Sequence, residues 1–311
     1  MEDASAIPAG VLTRLTMADG LALTVETCGP TAAPPVLFAH GFGQSRRSWA
    51  RTASALAEDG WRTATFDARG HGDSGRVPDG AYRLEQFVAD LLAVGESLGE
   101  PPVVVGHSMG GLLAMVAAGE IRPSPFRALV LVDITPRWEA SGVARILGFM
   151  RAHLDGFATL EDAAEKVAAY ARERPRHRHR SAEELAHLMR RGDDGRWRWR
   201  WDPRLLDTVA AEGERHQQRL LEAARRIDVP VLLVSGGRSD VVSERTVAEF
   251  LRNVSSAEHV EVPHATHALA GDDNDAFIAV LAYFLKSIGS PPAHVRRGRD
   301  AKGNTAAGAR Q

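Results

Sequence analysis

The sequence predicts a mostly parallel α/β sheet with helices on both faces and a helical insertion. Three observations carry that prediction. Short runs such as Val103–Val105, Ala128–Val132 and Val231–Val234 are apolar at every position, the pattern of strands covered on both faces. Helix-period stretches separate these runs, and strands alternating with helices imply crossover units in a parallel sheet. Between them, a sharp turn rich in glycine joins the apolar run Pro102–Val105 to the helical pattern Leu112–Ala118.

Taken in order, Val11–Met17 and Leu21–Cys28 alternate apolar and polar residues around Ala18-Asp19-Gly20, a hairpin with an Asp-Gly turn. Val36–Ala39, Thr63–Phe66, Val103–Val105, Ala128–Val132, Val231–Val234 and Val260–Val262 complete an expected sheet of eight strands. Helices are expected over Ser48–Glu58, Leu84–Leu98, Gly110–Gly119, Ser243–Leu251 and Asp275–Lys286. From Thr135 to Arg226 no strand is evident, and Val143–His153, Leu160–Arg172, Ala182–Arg190 and Leu205–Ala224 read as helices. The expected organisation is therefore a core built from 1–134 and 227–288, a helical cap at 135–226, and a disordered tail at 289–311 without apolar periodicity. Trp197, Trp199 and Trp201 alternate with arginines, which suits an extended segment whose aromatic face packs the cap onto the core, the reading favoured over a substrate-lining role. The basic run Arg172–Arg180 reads as a solvated loop. His177 and His179 within it have no acidic or cysteine ligands beside them, so no metal site is expected there.

Composition narrows the function. The chain has 311 residues, a net charge of −2 and 44% hydrophobic residues, a balance that suggests neither nucleic acid nor a membrane surface as a partner. The single cysteine, Cys28, permits no internal disulfide and is expected as a small buried residue in a strand. No basic-then-apolar leader opens the chain and no run approaches a membrane span, so a soluble, cytoplasmic protein acting on a small molecule is expected.

The glycine-rich turn carries the chemistry. Gly106-His107-Ser108-Met109-Gly110 is a G-x-S-x-G in strand–turn–helix context, the setting that holds a serine hydroxyl out at the top of a sheet. A serine hydroxyl is a poor nucleophile near neutral pH. It needs a base to take its proton, an acid to orient that base, and donors for the oxyanion. Candidate acids are Asp240, in Ser235-Gly236-Gly237-Arg238-Ser239-Asp240, and Asp133, which ends the run Leu129–Val132. Candidate bases are His264 and His267, after Glu261-Val262-Pro263. The oxyanion donors are expected to be the N–H groups of Met109, at the positive end of a helix, and Phe42, flanked by Gly41 and Gly43. His40 is expected to brace that loop, and Asp67–Ser74 to form a rigid hydrogen-bonded loop at the rim of the site.

His40-Gly41-Phe42-Gly43, Asp67–Ser74, Gly106–Gly111, Ser239-Asp240 and His267 together resemble the α/β-hydrolase superfamily, in its order, over Val11–Ile288. The likeness is strongest to its capped serine branch of esterases and cofactor-free haloperoxidase-like enzymes. Gly236–Asp240 and Gly271–Phe277 are similar to segments common among the latter. The resemblance implies Ser108 as nucleophile, Asp240 favoured over Asp133 as acid, and His267 favoured over His264 as base. It also implies an acyl-enzyme route without metal or organic cofactor. With serine rather than aspartate at position 108, epoxide opening and halide displacement are not expected. Carboxylic ester hydrolysis of a mainly apolar substrate is the expected reaction. The rivals are lactone or enol-lactone hydrolysis, cleavage of a carbon–carbon bond in a ring-fission product, and a ligand receptor without turnover. An acidic ring-fission product would want an arginine in the pocket, and Arg145, Arg190 and Arg198 are the candidates.

Overall fold

The computed structural model describes residues 10–172, 181–267, 269 and 274–289. Strands β1 (Val11–Thr16) and β2 (Ala22–Cys28) pair antiparallel, and Asp19 Oδ1 accepts the Leu21 N–H at 3.2 Å to close the turn at Gly20. Next come β3 (Pro35–Ala39), β4 (Arg62–Phe66), β5 (Val103–His107) and β6 (Ala128–Val132). After the insertion follow β9 (Val231–Gly236) and β10 (Ala257–Val262). The eight strands lie in the order β1-β2-β4-β3-β5-β6-β9-β10. Only the pairs involving β2 are antiparallel. Cys28 is half-buried in β2 rather than fully buried, because its strand lies near the edge of the sheet.

Alternate residues of the central strands face two separate apolar layers. Leu37, Val104 and Leu131 pack with residues of α2 (Leu84–Glu96) and α3 (Met109–Glu120). Val36, Val103, Val105 and Val132 pack instead with Trp49, with α1 (Ala50–Glu58) and with the last helix, α10 (Asn274–Ser287). Burial on both faces explains why these strands read as unbroken apolar runs. No helix among the described residues is long and apolar enough to cross a membrane.

Between β6 and β9 the chain forms α4 (Ala140–Ala152), α5 (Leu160–Arg172) and the short α6 (Ala182–Ala186). Then come β7 (Met189–Arg191), β8 (Trp197–Trp199), α7 (Leu205–Arg215) and α8 (Gln217–Arg225). Two expectations are corrected here. The insertion is not wholly helical: β7 and β8 form an antiparallel hairpin, because a period-two alternation puts Met189 and Trp199 inward and leaves Arg190 exposed. The single helix expected over Leu205–Ala224 is broken at His216, whose ψ of 1° departs from a helix. The break lets α8 seat against α3, where a Cβ on Gly119 would come within 2.1 Å of Ala223 O. The α9 helix (Glu244–Asn253) is capped by Ser243, whose side chain accepts the Thr246 N–H. The basic run beyond Arg172, with His177 and His179, and the tail beyond Gly289 lie outside the described residues.

The turn after β5 is crowded enough to exclude side chains. A Cβ on Gly110 would sit 2.3 Å from Ala39 O, and one on Gly106 2.6 Å from Gly111 N. Both obstacles are backbone, so neither can swing aside. Gly110→Ala is therefore expected to lower stability by about 1–3 kcal/mol or more. Gly148→Ala, where nothing lies within 4 Å in the middle of α4, is expected to gain up to about 1 kcal/mol. Urea unfolding of the two variants beside the wild type checks both signs.

Candidate active site

Ser108 occupies the junction of β5 and α3 with φ 49° and ψ −116°. That conformation is strained for a residue with a side chain. It is held by the Ser108 N–H donating to Val132 O at 3.1 Å and the Leu112 N–H donating to Ser108 O at 3.1 Å. The hydroxyl is thereby set against the imidazole of His267, with Ser108 Oγ 3.2 Å from His267 Nε2. His267 follows β10. Its backbone carbonyl lies 2.7 Å from Nε2 of His107, whose Nδ1 is 3.1 Å from Gln44 Oε1. His107 thus spans the gap between the loop after β3 and the loop that carries His267.

The partner of the imidazole corrects the sequence expectation. His267 Nδ1 donates to Asp133 Oδ2 at 2.7 Å. Asp133 is fully buried at the end of β6, with a positive φ of 51° that aspartate tolerates better than most residues. Its carboxylate also accepts the Gly236 N–H at 2.8 Å and the Ser239 hydroxyl at 2.5 Å. Three donors satisfy a carboxylate that could not otherwise be buried as an anion. Asp240 goes elsewhere: its Oδ2 pairs with Arg145 of α4 at 2.9 Å. A Cβ on Gly142 would lie only 2.0 Å from Asp240 O, so the Asp240 loop is pressed against the insertion. The physical reason is sheet order. β6 neighbours both β5 and β9, so its end lies beside Ser108, and the β9 loop reaches Asp133 one residue earlier, through Ser239. His264 is exposed and stands 3.4 Å from an Arg238 nitrogen.

The residues of both expected oxyanion donors line the same cavity as Ser108. Met109 opens α3, and the first N–H groups of a helix have no acceptor within it. In the loop after β3, the Gly41 N–H donates to Gln44 Oε1 at 3.0 Å and the Gly43 N–H to His71 Nε2 at 3.2 Å. The Phe42 N–H sits between these two anchored amides. His40 is buried and donates from Nδ1 to Gly41 O at 2.8 Å, while its Nε2 accepts the Ala68 N–H at 3.0 Å. The Asp67–Ser74 loop is tied internally. Asp67 accepts from Arg46 at 2.7 and 2.6 Å and from the Asp73 N–H at 2.9 Å, and Arg69 makes two 2.7 Å bonds to the buried Asp90.

Burial holds the imidazoles of His40 and His71 in their neutral forms. For His40 desolvation outweighs the opposing charge of Asp67. For His71 burial, followed by the neighbouring His40, pushes the pKa down to about 3. The consequence for stability has a definite sign. Between pH 6.5 and 3 the unfolded chain binds a proton at residue 71 that the folded chain refuses, so stability falls as pH falls through that window. Urea unfolding is expected to show a slope about 1.4 kcal/mol per pH unit shallower in His71→Phe than in the wild type.

Above Ser108 lies a cavity of about 320 Å³, within the range typical of small-molecule sites. Phe42, Leu112, Trp138, Phe149, Tyr170 and Trp199 are among its walls, which come from both the sheet domain and the insertion. Trp199, expected as packing, is therefore also a wall, whereas Trp201 is buried beneath Phe42, ring centroids 5.0 Å apart. None of the described lining residues is Lys, Arg, Asp or Glu. Among the described residues no cluster of His, Cys, Asp or Glu could hold a metal ion.

A family model described as "alpha/beta hydrolase fold" matches residues 34–273. The chain belongs to this α/β-hydrolase family. It is 34% identical over 272 residues to a 3-hydroxybutyrate-oligomer hydrolase of Cupriavidus necator, covering 83% of this chain and 90% of that one. It is 30% identical over 278 residues to the sn-1-specific diacylglycerol lipase ABHD11 of Mus musculus, covering 83% and 82%. Among solved structures, that of E-2-(acetamidomethylene)succinate hydrolase superposes with a TM-score of 0.76 at 24% identity, covering 89% of this chain and 99% of that one. That likeness concerns the fold. With its family and these relatives, the α/β-hydrolase described here is a hydrolase. Sequence reasoning weighed Asp133 but preferred Asp240; it named His71 and Ser239 only as members of their loops and passed over Gln44. The sequence places Asp133 directly after an apolar strand, and the sheet order shows that this strand neighbours the serine's own.

Proposed function

We propose that the chain is a serine esterase that cleaves an uncharged, mainly apolar carboxylic ester through an acyl-enzyme. The observation that carries this reading is the continuous relay Ser108 Oγ–His267 Nε2 at 3.2 Å and His267 Nδ1–Asp133 Oδ2 at 2.7 Å, opening into an apolar cavity. Ser108 Oγ attacks the ester carbonyl carbon while His267 Nε2 takes its proton. Asp133 keeps the imidazole in the tautomer that leaves Nε2 free and stabilises the imidazolium that forms. The N–H groups of Phe42 and Met109 receive the oxyanion, each at a value of about 3 kcal/mol in the transition state. The tetrahedral intermediate collapses with return of the proton to the leaving alcohol, and water activated by His267 then frees the acid.

The cavity wall favours an uncharged substrate. A carboxylate taken into an apolar cavity costs several kcal/mol unless a cation meets it. The arginines that could have served a ring-fission acid are engaged or placed elsewhere. Arg145 pairs with Asp240 and Arg198 with Asp194, while Arg190 is exposed and outside the cavity lining. The test is a panel of p-nitrophenyl esters, apolar chains beside one ending in a carboxylate, run with fluorophosphonate labelling and peptide mapping. The expected result is turnover of the apolar esters, poor turnover of the charged one, and label on Ser108. Absence of both turnover and label would sink the esterase reading, and label without turnover of any ester would favour a receptor.

A further inference from the structure

We propose that His71 is a positioning residue of this site: its neutral imidazole anchors the loop Gly41–Gly43 so that the Phe42 N–H is presented to the oxyanion. This rests on the esterase reading above. His71 is fully buried and cannot touch substrate, so its action runs through the loop. Its Nδ1 donates to Arg69 O at 3.1 Å, which leaves Nε2 as the acceptor that takes the Gly43 N–H at 3.2 Å. Arg69 is itself fixed by its paired bonds to Asp90. A chain of bonds therefore runs from helix α2 through Arg69 and His71 to the oxyanion loop.

Two further contacts give the anchor its direction. The Phe42 ring stands edge-on to His71, at 5.7 Å and 89°, and leans on Trp201. Gly43 has φ +77°, and a Cβ there would meet Met150 Cε at 2.4 Å, so the loop has little freedom toward the insertion. His71 also forms an antiparallel bridge with Trp201. Around that bridge the Gly72 N–H donates to Arg200 O at 2.8 Å and the Asp202 N–H to Gly70 O at 2.7 Å. Arg200 and Asp73 form an ion pair across the same joint. The backbone on either side of residue 71 thus holds the chain just beyond the hairpin, while the His71 side chain holds the donor loop. An oxyanion donor is worth its full value only when it is already aimed before the charge develops.

The experiment compares His71→Phe, which keeps a ring against Phe42 but offers no acceptor, with His71→Gln, which restores an acceptor oxygen at similar reach. Each is assayed for kcat and KM on a p-nitrophenyl ester and for affinity toward a trifluoromethyl ketone, a reversible mimic of the tetrahedral state. His71→Phe is expected to lower kcat by about 10- to 100-fold and to weaken the ketone comparably, with KM within about threefold. His71→Gln is expected to recover most of both. Wild-type kcat and ketone affinity in His71→Phe would overturn the proposal. So would a loss of kcat that follows melting temperature while ketone affinity is kept. Ser108→Ala and wild type run alongside: an inactive wild type, or an unimpaired Ser108→Ala, would overturn the esterase reading instead. Should the variants not fold, ¹⁵N spectra of the wild type decide. A protonated Nδ1 and a bare Nε2 on His71 down to pH 4, with the Gly43 amide protected from exchange, support the anchor. A protonated Nε2 or a freely exchanging Gly43 amide would overturn it.

Discussion

Replacing Ser108 with alanine is expected to cut kcat on a p-nitrophenyl ester by about 10⁴- to 10⁶-fold. The nucleophile and its base act as one unit, so removing the hydroxyl leaves only the oxyanion donors and binding, worth about 10³- to 10⁴-fold over water. Fold should survive. The strained φ of 49° is kept in the variant, and the hydroxyl contributes one bond, at 3.2 Å to His267. Stability within about 1 kcal/mol of wild type is expected, and KM should change little. Steady-state kinetics with circular dichroism read all three. Residual activity above a few per cent of wild type would mean that another group supplies the nucleophile.

The second large effect separates the two aspartates. Asp133→Asn is expected to lower kcat by about 10³- to 10⁴-fold. Asparagine keeps the shape, but its amide lets the imidazole settle with the proton on Nε2, where it can no longer accept from Ser108. Asp240→Asn should leave kcat within about threefold. Asp240 pairs with Arg145 of α4, and a partly exposed ion pair contributes about 1 kcal/mol or less. The measurement is kcat for both variants, with urea unfolding to separate loss of chemistry from loss of fold. A collapse of kcat in Asp240→Asn with Asp133→Asn unharmed would return the acid to the β9 loop.

The fold was legible because its strands are locally unambiguous. Val103–Val105 and Ala128–Val132 read as strands buried on both faces, and Gly106 to Gly110 as a turn of unusual tightness. The strained turn that carries Ser108 was legible for the same reason, since a Cβ at Gly106 or Gly110 would collide with backbone. His267 followed from its place after the last strand. Which aspartate meets the imidazole was not legible because chain position does not encode lateral sheet order. Asp133 directly follows β6 and Asp240 lies in the loop after β9, and only the pairing β5–β6–β9 shows that this loop delivers Ser239 to Asp133 while Asp133, not Asp240, meets the imidazole. The hairpin β7–β8 was missed although Trp197, Trp199 and Trp201 announced an extended segment, because three-residue strands are too short for periodicity to separate from a loop. His71 left no trace in the sequence beyond a turn-rich setting, since its partners are backbone atoms far along the chain.

With Asp133 just after β6, the proposed nucleophile and acid both precede the insertion, at the ends of neighbouring strands paired His107 to Val132, and the proposed base follows it. Among the described residues, the stretch between β6 and β9 supplies walls to the cavity and none of the three residues of the proposed relay. Such an insertion is an exchangeable cassette: grafting another in its place rewrites which molecules gain admission, while the bond-breaking apparatus underneath keeps its spacing.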